Sequence, residues 1–96
     1  MQLNVALQDG FDDDEVTIRV DGDEAYRERV TTRTQISHAA DMQLEVPDGP
    51  FTLEVEVPER EIRESFPIDP QAQPNVAISL LEGSLVAAYP EQLGFA

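Results

Sequence analysis

Val16-Thr17-Ile18-Arg19-Val20-Asp21-Gly22 is the stretch that decides how this chain folds. Val16, Ile18 and Val20 alternate with Thr17, Arg19 and Asp21. In an extended backbone successive side chains point to opposite faces, so one face here is apolar and the other polar. A helix would scatter the same residues around its circumference. The branched side chains favour the extended form. Asp21-Gly22 then offers the positive φ of a tight hairpin, and a second strand-like run starts at Glu24.

The pattern recurs on both sides of this hairpin. Leu3, Val5 and Leu7 alternate with polar or small residues, as do Leu53, Val55 and Val57, and again Val76, Ile78 and Leu80. Between the runs lie Pro47-Asp48-Gly49-Pro50, Glu82-Gly83 and a stretch broken by Pro67, Pro70 and Pro74. These are turn and loop residues. The spacing predicts strands at about 2–8, 15–21, 24–30, 42–47, 51–58, 61–68, 75–81 and 84–89. Residues 31–41 fit either a short strand near Ile36 or one helical turn near Ala39.

Short strands at such intervals predict an all-β fold: a single antiparallel β-sandwich of seven or eight strands, immunoglobulin-like or prealbumin-like. One domain fills residues 1–96, with 90–96 as a loosely held tail. The expected core is Leu3, Val5, Leu7, Val16, Ile18, Val20, Leu44, Val46, Leu53, Val55, Val57, Val76, Ile78 and Leu80. Two runs place charge on the apolar face. Glu24 and Glu28 alternate with Tyr26 and Val30, and Glu64 falls with Ile62, Phe66 and Ile68. Inward charges are a known guard on sheet edges, so both runs are expected at edges, with a bulge as the alternative explanation for Glu64.

Charge narrows the function. The chain has 20 acidic side chains, six arginines, no lysine and a formal net charge of −14. Such a surface repels phosphate backbones, and no basic cluster is present, so neither nucleic acid nor an anionic membrane is an expected partner. Acidic residues without lysine suit proteins adapted to high salt; a GC-rich genome that encodes Arg in place of Lys would leave the same signature. The absence of cysteine excludes disulfides and thiolate metal sites. No basic leader or long apolar run is present, and a cytoplasmic location is expected on that ground.

From Val16 onward the order of features resembles the PEGA-type modules, small surface-layer and prealbumin-like β-sandwich repeats. The residues that carry the resemblance are Val16-Thr-Ile-Arg-Val-Asp-Gly22, Val46-Pro-Asp-Gly-Pro-Phe-Thr-Leu-Glu-Val55 and Asn75-Val-Ala-Ile-Ser-Leu80. The chain lacks the Thr-Pro before the central strand and the Gly-Tyr after Val57. The resemblance implies a non-catalytic structural or interaction module, with no functional residues to transfer.

Sites of chemistry are sparse. Asp9, Asp12, Asp13, Asp14 and Glu15 form the densest carboxylate group and are the candidate ligands of a calcium site. They do not fit an EF-hand register, which needs glycine at the sixth position. The competing expectation is a solvated acidic loop at a strand end. Glu59, Glu61 and Glu82 are expected at that same end, and Asp21, Asp23 and Asp48 at the other. His38 is the sole histidine and, without a partner nucleophile, is expected on a surface or loop. Glu54/Glu56 and Glu59/Glu61 are carboxylate pairs, but Glu54 and Glu56 fall on the exposed face of their strand. Phe51 and Phe66 are expected in the core, whereas Phe11 and Tyr26 are candidates for exposure. No cofactor is expected. The leading expectation is a non-enzymatic module that binds a protein partner, or a second copy of itself, through a strand edge. Residues 84–89, with few charges to guard them, are the suggested place. A calcium-dependent binding module acting through 9–15 is the alternative.

Overall fold

The structure is a computed structural model that describes residues 1–33 and 35–91. Eight strands run in order: β1 (Gln2–Leu7), β2 (Asp14–Val20), β3 (Asp23–Val30), β4 (Ala40–Glu45), β5 (Phe51–Val57), β6 (Ile62–Ile68), β7 (Asn75–Leu81) and β8 (Ser84–Ala88). They form two four-stranded sheets, ordered β4-β1-β7-β8 and β3-β2-β5-β6. The apolar faces of the two sheets meet as a β-sandwich.

The alternating side chains account for the core. Every expected core residue is buried except Val20 and Phe66, which are half-buried. Phe11, Val30, Ile68 and Leu85 join them. Removing such side chains from water contributes about 1.5–3 kcal/mol each, which is what a chain without disulfides must rely on. Two tight turns follow their residues: Asp21-Gly22 has φ values of 47° and 90°, and Glu82-Gly83 of 52° and 80°. Positive φ at both central positions matches the twist of the strands on either side.

Two expectations need correction. The sandwich is not antiparallel throughout: β1 pairs antiparallel with β4 but parallel with β7. A parallel pair needs a long connection, and here the chain passes through the other sheet before it returns. Residues 31–33 and 35–41 hold neither a strand near Ile36 nor a helical turn near Ala39. Arg33 and His38 form an isolated bridge across a turn, Ile36 is exposed, and Ala39 donates its N–H to the Leu7 carbonyl at 2.8 Å, leading into β4. A bulge is also present, away from Glu64. It interrupts β2 and β3, where Arg19 faces Glu24 and Ala25 is the extra residue. The extra residue turns Glu24 to the outer face, so Glu28 alone shares Tyr26's side.

Both charged runs do lie at edges, since β3 and β6 are the outer strands of their sheet. β6 begins at Ile62 because Pro58–Arg60 forms a 3-10 turn, ended by Glu61 at φ 56°. Of the tail, residues 92–96 lie outside the described residues, while Asn75 Nδ2 donates to the carbonyls of Pro90 (3.3 Å) and Glu91 (2.7 Å).

Candidate functional site

The acidic stretch after β1 is not a hairpin end. It carries the chain from one sheet to the other, and its centre is packed. Phe11, expected to be exposed, is 3% exposed and closes that end of the core. Its N–H donates to Thr32 Oγ1 at 2.9 Å, and Thr32 Oγ1 in turn donates to the Gln8 carbonyl at 2.6 Å. Gly10 lets the loop pass: it has φ 92°, and a Cβ there would fall 1.6 Å from the Leu80 carbonyl oxygen.

Asp14 is buried and forms a two-pronged pair with Arg60, whose Nε and Nη2 each donate at 2.8 Å. The Asp12 N–H adds a third donor at 2.8 Å. Burial pushes the Asp14 carboxyl up, but the hydrogen bonds from Arg60 and Asp12 and the charges of Arg60 and Arg29 outweigh it. The net shift is downward from the ordinary 3.8. Beside this pair, Arg29 donates to Glu59 (3.0 Å) and to the Asp13 carbonyl (2.6 Å), and the Glu15 N–H donates to Glu59 at 3.3 Å. The Arg29 hydrogen bond holds the Glu59 carboxyl below its usual range.

The five candidate calcium ligands therefore have these places. Asp14 is engaged by Arg60, Asp13 lies 3.6 Å from Arg29, and Glu15 lies 3.9 Å from Arg27. Asp9 is tied to β7 by its backbone carbonyl, which accepts from Leu80 N at 2.8 Å, and Asp12 is exposed. Among the described residues no group of three or more His, Asp and Glu side chains is arranged to hold a metal ion.

Glu54 and Glu56 were expected to be exposed on the outer face of β5. They lie on that face but are half-buried beneath Arg19, whose Nη1 donates at 2.6 Å and 2.9 Å. The hydrogen bonds to Glu56 and Glu54 raise the Arg19 pKa. Both carboxylates are thus committed to one guanidinium and not poised to trade a proton with a substrate. His38 is half-buried at the turn before β4, with Nε2 3.5 Å from Asp41.

The charged groups leave one side of the molecule bare. β1, β7 and β8 are neighbours and contain no charged side chain. The other three edges are guarded: β3 by Asp23, Glu24, Arg27, Glu28 and Arg29, β4 by Asp41 and Glu45, β6 by Arg63, Glu64 and Pro67. β8 is an edge with no such residue. Val86 at its centre is 46% exposed, flanked by exposed Leu81 and Tyr89. Sequence reasoning found the low charge of this segment, but it missed the Asp14–Arg60 pair. The signal was faint: one arginine 46 residues along the chain, with nothing local to connect it to Asp14.

No protein-family profile, curated protein or solved structure matches this chain.

Proposed function

We propose that this chain is a non-enzymatic interaction module that works by strand addition at β8, pairing with a second copy of itself. The observation that carries this reading is the uncharged β8 edge in a chain of net charge −14 whose other edges are charged. An edge strand offers unpaired N–H and C=O groups to any strand that can approach. β8 is where another acidic chain can approach without setting carboxylate against carboxylate. Val86 is the middle residue of the five in β8, so in an isologous antiparallel pair it would face its own copy.

The order of the strands supports the prealbumin-like form of the sandwich over the immunoglobulin-like one. β1 and β2 lie in opposite sheets here, whereas the immunoglobulin constant type places its first two strands side by side in one sheet. No feature of the 9–15 loop favours the calcium alternative: Asp13, Asp14 and Glu15 lie beside arginines, and Asp9 and Asp12 belong to no group of three acidic side chains among the described residues.

Mass in solution by light scattering tests the proposal. Two strongly anionic chains repel, so the dimer should strengthen as the screening length falls from about 10 Å at 0.1 M salt to about 3 Å at 1 M. Val86→Lys adds an edge guard at an exposed position and should leave a folded monomer at both salts. A wild-type chain that stays monomeric at high salt, or a Val86→Lys chain that still dimerises, rejects the reading.

A further inference from the structure

A second surface, independent of β8, lies at the end of the sandwich opposite the 9–15 loop. A cleft of about 440 Å³ opens there between the β2–β3 hairpin and the segment that leaves β4. Val20, Val46 and Pro47 give it apolar lining, and Asp23, Glu24 and Glu45 line it alongside them. The volume lies in the range of small-ligand clefts.

The cleft is held open by features already described. Asp21 anchors the hairpin to β5, accepting from Thr52 N at 2.9 Å while its own N–H donates to Thr52 O at 3.0 Å. The bulge places the small Ala25 at the cleft and turns Glu24 to the outer face. Beyond Glu45 the chain leaves the sheet, and buried Val46 and exposed Pro47 form the opposite wall.

Charge is distributed unevenly about the molecule. Arg29 and Arg60 are spent at the far end on Asp13, Asp14 and Glu59. Arg19 is spent on Glu54 and Glu56. At the cleft, Arg27 reaches Glu24 at 2.6 Å and the terminal amine lies 3.7 Å from Glu45. Asp23 makes no ion pair among the described residues, whereas Asp48, at the same end, lies 3.5 Å from the terminal amine. Carboxylates alone would be a solvated rim; the concave apolar wall between them makes a place for a side chain.

We propose that this cleft seats a basic peptide segment of a partner protein, with the aliphatic stem of an arginine or lysine on Val46 and Pro47 and its cation beside Asp23 and Glu45. Long cationic side chains bury their stems against apolar surface and keep the charge in a polar rim. A bare divalent ion does not fit, because no three acidic groups converge on one point among the described residues. A second copy of this chain does not fit either: it has no lysine, and five of its six arginines are already paired with carboxylates.

The test is an amide NMR titration of the full chain with acetyl-Val-Arg-Val-Arg-Val-amide, with spermidine as the comparison. Saturable shifts should be confined to residues 20–25 and 45–47, and Asp23→Asn/Glu45→Gln should weaken binding about tenfold, as expected for two partly exposed charge contacts. Asp12→Asn/Glu82→Gln removes the same charge from the other end and should change affinity less than about twofold, the residue of long-range screening. Ala25→Trp fills the cleft at an exposed position and should abolish binding with the strands intact. Equal losses from both charge pairs, shifts spread over the whole acidic surface, or spermidine binding as tightly as the peptide would each overturn the proposal.

Discussion

Replacing Asp14 with Asn tests whether the acidic loop is a latch. The change preserves shape and removes one charge. Asp14 accepts three hydrogen bonds, two from Arg60 and one from the Asp12 N–H, each 2.8 Å long. Asn offers one acceptor oxygen, and its amide group must face a donor. Hydrogen bonds to charged groups contribute about 1.5–3 kcal/mol each, and leaving a buried donor unmet costs about 1–3 kcal/mol. The two ends differ in access: the Asp14 side chain is 6% exposed, whereas Arg60 is 38% exposed and recovers part of the loss from water. The net cost is therefore about 2 kcal/mol, below the ~3–5 kcal/mol for breaking a fully buried pair. For a domain of this size that lowers Tm by roughly 8–16 °C. Urea unfolding followed by far-ultraviolet circular dichroism measures it. Combined with Arg60→Met in a double-mutant cycle, it should return a coupling of about 1–2 kcal/mol.

The same pair sets a pH dependence with a definite sign. The folded carboxyl titrates below its ordinary 3.8, so its contribution is complete above that value and is lost as pH falls through the lower, folded one. The gap between wild type and Asp14→Asn should be constant near neutral pH, shrink below about pH 4, and close in stronger acid. A variant within about 0.5 kcal/mol of wild type, or a gap that does not change along the acid limb, would refute the reasoning.

Two further outcomes follow from the same loop. Gly10→Ala should destabilise by at least about 2 kcal/mol in the same urea assay, because the chain would have to abandon a positive φ and the approach to Leu80 together; a smaller loss would show that the loop shifts freely. Sub-millimolar calcium should leave the amide shifts of residues 9–15 without a saturable change, since Arg60, Arg29 and Arg27 already attend Asp14, Asp13 and Glu15. Saturable shifts confined to that loop would restore the calcium reading.

Glu28 and Glu64 show how far local pattern reaches. Both were expected on an apolar face and both proved to sit on edge strands, because a charge on the inward side is tolerable only where the sandwich is open. Glu24 had the same pattern and a different outcome. One extra residue at the bulge reverses its side, and a period-two reading does not register an insertion. Phe11 failed for another reason. Five carboxylates surround it in sequence, but in space its neighbours are the core and Thr32.

Alternation by itself determined where the strands run, the side they present to the core except in β3 beyond its bulge, and the position of the tight turns, because these depend on residues two or three apart. Tertiary structure alone decided that β1 lies parallel to β7, that Asp14 meets Arg60, and that β8 is the outermost strand of its sheet. Those outcomes depend on how loops carry the chain from sheet to sheet, and pairings over 46 to 71 residues leave no trace in any short window of sequence. The low charge of β8 was visible from the start; its meaning came only with its place at the end of a sheet.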